Sequence, residues 1–510
     1  PARPVPAVRP MTTGVARSVG GTTLINLGGN GVRIVLSFIT LVCASRWLGP
    51  DGFGKVSLIL AYTTYLLSVL PLGFEHSLPF YASRSGVGFS ARVLSVALLA
   101  SLIAGAVLVL AALVAIPPLL VRAGLDDLFW PVLIFTAQMQ GGALLNILFG
   151  FLRGAKTFVP YIISEQLLFP ALHLAALFVI VRVLHGGYFG YALGYSSATF
   201  CCLLYVGTCA FLAWKPHRGE RGPLTSDGWR SWLWFSLPLA VMSGFDPFLR
   251  SLSVMQAGWF LPPAEVAKFS VAARVTIFVQ FLLTAITPVF TPYLADLHRR
   301  GDTREFRDLY QTVNYWCSKW AVLLSCLMVA AADLVLSVFG KGYEEGIAIC
   351  LLLALPGALS EGALGGVRLS LVMAGRNRIN AALVVGAIAL QLLLGRWLVP
   401  RFGIAGVATS FSVTYAALNL ARAGWFHRIF GIPPLNRRHL RNLAALAVAG
   451  GGLAWAIRAA ALAPRGTAAL AVVVFVPAFA VTFWKDREVF SAALARVRST
   501  RVDPRSDPGV

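Results

Sequence analysis

Between Thr22 and Ser57 the chain alternates between long apolar stretches and a few polar residues in a fixed rhythm. Asn26, Asn30, Arg33, Ser37 and Thr40 recur at i, i+4, i+7, i+11 and i+14, which on a helix places them on one narrow polar stripe. Val, Leu, Ile and Phe fill the other faces. Arg33 lies about two turns or more from either predicted end, and a guanidinium in hydrocarbon costs at least ~2.5 kcal/mol. The stripe therefore has to line water or a partner. The segment Arg46-Trp-Leu-Gly-Pro-Asp-Gly-Phe-Gly-Lys55 follows, and its glycines and proline force the chain back on itself. Two antiparallel helices are the expected result.

The same apolar pattern recurs along the chain. It predicts helices near Thr23–Ser45, Lys55–Gly73, Val93–Ile116, Phe129–Leu152, Val159–Val181 and Tyr188–Trp214. Beyond these come Ser231–Gly258, Val266–Leu294, Gln311–Phe339, Ile347–Ala374, Ala381–Val399, Ile404–His427, Leu443–Ala463 and Thr467–Trp484. A polar loop with Glu75, His76, Arg84 and Arg92 is expected after helix two. Pro117-Pro118 is expected to stop helix three, and Asp246-Pro247 to kink helix seven. A bilayer crossing needs ~20 apolar residues, so the pattern amounts to about fourteen spans. Residues 1–19 read as a disordered cytoplasmic tail with Met11 as the natural start, 20–214 as a six-helix bundle and 215–230 as a basic linker. A second six-helix bundle is expected over 231–428, two further spans over 429–484 and a basic tail over 485–510.

Composition agrees. Of 510 residues, 57% are hydrophobic and 13% charged, and the mean hydropathy is +0.75. This is more apolar surface than a soluble core can bury, which makes the chain an all-α polytopic membrane protein and excludes a soluble enzyme. The net charge of +22 follows from Lys and Arg in alternate loops, among them Arg153/Lys156, Lys215/Arg218/Arg221, Arg299/Arg300 and Arg437/Arg438. Those loops and both termini are thereby expected in the cytoplasm, where basic residues meet anionic headgroups rather than nucleic acid. The seven cysteines lie in apolar runs without metal-binding spacing and read as packing residues, so no metal and no cofactor are expected.

A repeat organises the chain. At a shift of 213, Arg17-Ser18 meets Arg230-Ser231, Gly31 meets Gly244, Pro50 meets Pro263, and Lys55-x-Ser57 meets Lys268-x-Ser270. The polar stripe repeats as well, with Asn30, Arg33, Ser37 and Thr40 falling on Ser243, Asp246, Arg250 and Ser253. Duplicated halves are a transporter signature, with a site expected between them near the midplane.

Arg46-Trp-Leu-Gly-Pro-Asp-Gly-Phe-Gly-Lys55 after a helix with a buried arginine resembles the opening of bacterial polysaccharide transporters. These are the oligosaccharide-lipid flippases of the multidrug/oligosaccharidyl-lipid/polysaccharide exporter superfamily. Leu152-Arg-Gly-Ala-Lys156, Met373-Ala-Gly-Arg376 and Phe402-Gly-Ile-Ala-Gly406 resemble its later landmarks. The resemblance implies two pseudo-symmetric six-helix bundles around a central cavity, with two appended helices, in the bacterial cytoplasmic membrane. It also implies flipping of an undecaprenyl-diphosphate-linked saccharide, with other polysaccharide-assembly proteins as partners. Lipid II flippases and multidrug antiporters share the architecture, and the dominance of arginine argues against the antiporter.

A lipid-linked sugar diphosphate has a polyanionic head that needs a wet, cationic path, and the arginine fork fits phosphate oxygens. Arg33, Arg250, Arg274 and Arg368 are the candidate cations, with Asn30 and Ser37 beside Arg33; each arginine also admits a structural ion pair or snorkelling. Lys319, nearer a helix end, reads equally as a snorkelling chain. Glu165, Asp246 and Glu361 are candidates for coupling to a proton or sodium gradient. Asp246 has Arg250 at i+4 and Glu361 has Arg368 at i+7, so both also read as neutralising partners; Glu165 has no such helix-mate. His173 reads as a packed histidine. Gln138, Gln140, Asn146 and Gln280 suit many saccharides.

Overall fold

A computed structural model describes residues 13–484, apart from a few single residues and the stretches 124–125, 218–225, parts of 281–299, 333–336, 374–375 and 460–465. Among the described residues every regular element is helical. The run Thr13–Thr63 is two helices that meet at Gly49, whose φ of 68° and ψ of 177° break the helix. Positive φ is cheap only for glycine, and Pro50 behind it has its φ already set for a first helical position. We call these α1 (13–48) and α2 (50–63). The first helix starts at Thr13, ahead of the expected Thr23, so part of the expected tail is helical; residues 1–12 and 485–510 lie outside the described residues.

The second crossing differs from the sequence expectation. After α2 and a short turn, Leu72 and Gly73 take positive φ (54° and 75°), and the chain resumes as α3 (Phe74–Ser85). Glu75 and His76 are therefore helical rather than in a loop, and Glu75 is buried. The 19-residue apolar run had marked the end of the crossing, but the chain only breaks there and continues. Helix α4 (Val87–Ala123) passes through Pro117-Pro118; proline removes its own N–H but keeps a helical φ, so near a helix end it does not stop the chain.

Next come α5 (Phe129–Gly154) and α6 (Val159–Val183). Two π-helical turns, Ile163–Leu168 and Phe178–Val183, interrupt α6. Helix α7 (Gly187–Trp214) completes the first bundle. The second holds α8 (Ser226–Phe260) and α9 (Pro263–Val275), then α10 (Thr303–Ala330) and α11 (Glu344–Met373). The run Asn377–Phe430 divides at Gly403 (φ 56°, ψ −132°) into α12 (377–402) and α13 (404–430). Asp302 caps α10 by accepting from the Glu305 backbone N–H at 3.0 Å. Helix α8 begins at Ser226, inside the expected linker, and runs without a break to Phe260, carrying Asp246-Pro247 in its interior. Helices α14 (Arg437–Ala459) and α15 (Ala469–Thr482) pack on α10, with Phe475, Ala454 and Ile457 against Val322 and Cys326.

Among the described residues, eight helical runs are long and apolar enough to cross a membrane. Two of them, of 55 and 53 residues, are divided by the Gly49 and Gly403 breaks, and their summed rise of about 80 Å at 1.5 Å per residue is enough for two crossings each.

The two bundles meet along α1 and α2 on one side and α8 and α9 on the other. At the end carrying the Gly49 turn, here the turn end, the contacts use backbone. Arg46 Nε donates to the Val338 carbonyl at 2.6 Å, Ser45 Oγ to the Phe339 carbonyl at 3.3 Å, and the Tyr343 hydroxyl to the Ser45 carbonyl at 3.3 Å. Phe38 sits edge-on between Phe278 and Phe339. At the opposite end, Phe74 of α3 stacks on Trp232 of α8 with ring centroids 4.4 Å apart, and the Gly73 backbone lies against Ser236 and Ala240.

Loops of the first bundle are tied at the turn end by Asp127, which pairs with Lys55 at 2.6 Å and accepts from the Tyr188 hydroxyl at 2.8 Å. Burial pushes the Asp127 carboxyl up, but the Lys55 and Tyr188 hydrogen bonds outweigh it and the pKa falls below 3.8. A lowered acid contributes stability above its unfolded pKa and loses it as pH falls through the folded value. Thermal unfolding of Asp127→Asn against the intact protein is therefore expected to differ by a constant amount at pH 5–8 and to converge below about pH 4.

Candidate functional site

The polar stripe of α1 turns towards α6. Arg33 Nη1 donates to Glu165 Oε1 at 3.1 Å, with both side chains about a third exposed (36% and 35%). Glu165 is carried by the first π turn of α6, and the Tyr161 side chain lies beside the pair. Its partner comes from another helix, which its lack of a helix-mate did not reveal. Of the flanking stripe, Ser37 is exposed and Asn30 half-buried, while Thr40 donates back to the Leu36 carbonyl of its own helix. The side chain of Asn26 lies outside the described residues.

The second bundle carries a larger cluster, and its pairing crosses between helices. Arg250 of α8 pairs with Glu361 of α11 at 3.7 Å, and Arg368 of α11 pairs with Asp246 of α8 at 3.6 Å. The pairs expected along each helix, Asp246 with Arg250 and Glu361 with Arg368, are replaced by partners across the gap. A third guanidinium, Arg422 of α13, completes the cluster. It is 1% exposed and meets Asp246 Oδ1 at 3.1 Å, while its Nε donates to Asn380 Oδ1 at 3.0 Å. Asn419, one turn earlier, donates to Glu361 Oε2 at 2.9 Å and accepts from Arg422 at 3.4 Å. The chain Arg250–Glu361–Asn419–Arg422–Asp246–Arg368 is thus continuous.

Three guanidiniums face two carboxylates, so the cluster carries one net positive charge. The two pairs near 3.6 Å are loose, and Arg250 and Arg368 remain nearly half exposed (48% and 44%). Their forks keep N–H groups free for an anion, whereas Arg422 is spent on internal bonds. The repeat is preserved in position and inverted in sign: Asp246 stands where the first bundle has Arg33, and each is answered by the opposite charge from another helix of its own bundle.

Arg274, in the last turn of α9, belongs to the second bundle by sequence but projects into the first. Its guanidinium lies 5.6 Å from the Phe53 ring centroid and against the Tyr191 hydroxyl, with Tyr195 and His173 close by. His173 contacts Tyr191 and Tyr195 edge to face, with ring centroids at 5.2 and 5.0 Å. Among the described residues no carboxylate pairs with Arg274. His173 is packed, as the sequence suggests, and is 6% exposed. Gln138 and Gln140 are engaged with Thr199 and Ser101, and Asn146 with the Leu67 carbonyl, so these amides serve the first bundle internally. Lys319 lies over the Tyr315 ring at 5.2 Å. Among the described residues no group of three metal-binding side chains occurs.

Because Arg33–Glu165 crosses between two helices, exchanging the charges (Arg33→Glu with Glu165→Arg) is expected to recover folding and expression lost in either single variant, measured by detergent size-exclusion yield.

An inward-facing multidrug resistance MATE family transporter of the MOP superfamily superposes with a TM-score of 0.67 at 14% identity, covering 80% of this chain and 98% of that one. The lipid II flippase MurJ, in an inward closed conformation, gives 0.65 at 11% identity over 94% of this chain and all of MurJ. A MOP superfamily transporter from Pyrococcus furiosus, described as having a binding pocket of reversed polarity, gives 0.56 at 14% identity over 80% and 95%. No curated protein sequence matches. The family model of polysaccharide biosynthesis proteins matches residues 19–298, more than half of the chain and the part that holds the α1 stripe, the Gly49 turn and Arg274, and the chain belongs to that family of membrane transporters.

Proposed function

We propose that the protein is a flippase that moves an undecaprenyl-diphosphate-linked oligosaccharide from the cytoplasmic to the outer leaflet by alternating access. The observation that carries this reading is the net-positive cluster of the second bundle, with Arg250 and Arg368 half exposed and held by carboxylates of the opposite helix. A charge in mid-membrane facing lipid would cost several kcal/mol, so these groups face a hydrated space between the bundles. Their guanidinium forks suit the two phosphates, and the lipid tail stays in the bilayer. The distribution of Lys and Arg assigns the turn end to the outer side and both termini to the cytoplasm. Asp246 and Glu361 hold the arginines in place, and Glu165, with a single partner at 3.1 Å, is the group through which a proton or sodium gradient would act. Surface polysaccharide assembly in a bacterial cytoplasmic membrane is the corresponding setting.

The test is flipping of a fluorescent undecaprenyl-diphosphate sugar in proteoliposomes. Arg250→Ala with Arg368→Ala is expected to lower the rate by about 10²-fold or more, since charge-assisted bonds contribute roughly 1.5–3 kcal/mol each. Glu165→Gln is expected to flip while losing its response to an imposed pH gradient. Export of organic cations in place of lipid-linked sugar would overturn the reading. Lipid II is the second candidate substrate, favoured by full-length similarity to MurJ, and the same assay with both lipids separates the two.

A further inference from the structure

Arg274 is the one site arginine whose setting the diphosphate reading does not explain. Arg250 and Arg368 are braced by carboxylates of their own bundle, and Arg33 by Glu165. Arg274 instead crosses from the second bundle into a pocket of rings on the first, made by Phe53, His173, Tyr191 and Tyr195. It stands eleven residues after Pro263 at the start of α9, about 16 Å in from the turn end at 1.5 Å per residue. The backbone contacts of Ser45, Arg46 and Tyr343 close the seam beyond it. Arg274 is therefore a tie set inside a seam that is shut at the turn end.

The rings attract a guanidinium through their π faces. They offer no counter-charge. His173 Nε2 is buried without a hydrogen-bond partner, so the pocket is also left one bond short while Arg274 occupies it. A dianion arriving at Arg250 and Arg368 offers Arg274 stronger, charge-assisted bonds than the rings do.

We propose that the ring pocket is a parking site for Arg274, and that a diphosphate bound at the arginine cluster draws Arg274 out of it and so releases the seam at the turn end. This rests on the diphosphate reading above. It adds a selection step: lipids without a polyanionic head fill the space without opening the seam, because only a polyanion competes for the parked guanidinium. A ligand moves an equilibrium only through its different affinity for the two states, and Arg274 is the group that supplies that difference.

The experiment uses the full chain in nanodiscs, with its cysteines replaced and spin labels at the exposed turn-end positions Trp130 and Phe402; inorganic pyrophosphate is the probe. The ligand-free protein is expected to give a short distance that lengthens with pyrophosphate. Arg274→Gln is expected to give the long distance without pyrophosphate, and Arg274→Lys to restore the short one. Tyr191→Phe with Tyr195→Phe is expected to lower the half-maximal pyrophosphate concentration by about tenfold, since one bond to a charged group is worth about that factor. If Arg274→Gln stays closed while the intact protein still responds to pyrophosphate, the parking site is overturned and the diphosphate reading stands. If the intact protein ignores pyrophosphate, the trigger falls together with the diphosphate reading.

Discussion

Replacing Arg422 by alanine is expected to destabilise the protein by about 3–5 kcal/mol, the cost of breaking a buried ion pair by removing one partner. Arg422 is almost fully enclosed and ties three groups: Asp246, Asn380 and Asn419. Its loss leaves Asp246 with only the loose Arg368 contact and frees Asn419, which orients Glu361. The effect should therefore reach Arg250, which Arg422 does not touch. Thermal unfolding in detergent checks the stability. A double-mutant cycle with Asp246→Asn should return a coupling of at least about 1.5 kcal/mol, since groups in one network are non-additive. An Arg422→Ala protein as stable as the intact one would mean that the cluster is not held from behind as described.

Gly73→Ala is the second large effect, expected to exceed about 3 kcal/mol. Two costs combine there. Gly73 has a φ of 75°, which an L-residue adopts at about 1–2 kcal/mol, and a methyl group would meet the Ser236 carbonyl and the Ala240 backbone nitrogen of α8. Both obstacles are backbone, so no side chain can swing aside and α8 itself must move. The neighbouring Phe74–Trp232 stack would be pulled apart with it. The variant should unfold at lower temperature and expose Trp232 to a soluble quencher. As a control, Gly207→Ala, at a half-buried position in the last two turns of α7 with nothing within 4 Å, should change stability by less than about 1 kcal/mol.

The helices, the Gly49 turn and the α1 stripe were legible because each rests on local spacing. The pairing of charges was not. Along α8, Asp246 and Arg250 are adjacent on one face, and sequence spacing favours joining them; the approach of α11 lets each take a partner across the gap, a matter of helix packing that no single segment encodes. Arg422 was missed for a related reason. It stands five residues before His427, where helix twelve was expected to end, and so reads as a chain that snorkels to the surface. Helix α13 reaches Phe430, setting Arg422 about a turn deeper, and Asn419 at i−3 was the available signal. Glu165 likewise gave no hint of Arg33, 132 positions away.

The crossed pairs of the second bundle have a mechanical consequence. They fasten α8, α11 and α13 to one another through a chain of six side chains, and the Gln256–Gln391 exchange at 2.8 Å adds a stitch from α8 to α12. Among the described residues the first bundle shows no comparable chain of charges: it has the Arg33–Glu165 pair, the Asp127–Lys55–Tyr188 group at the turn end and amide bonds such as Gln138–Thr199, together with two π turns and a broken second crossing. One half of the molecule is built as a frame and the other as a spring. Any rocking between the halves must then be absorbed by deformation of the first, with α6 and the α2–α3 break as its compliant points, while the second turns as a single block.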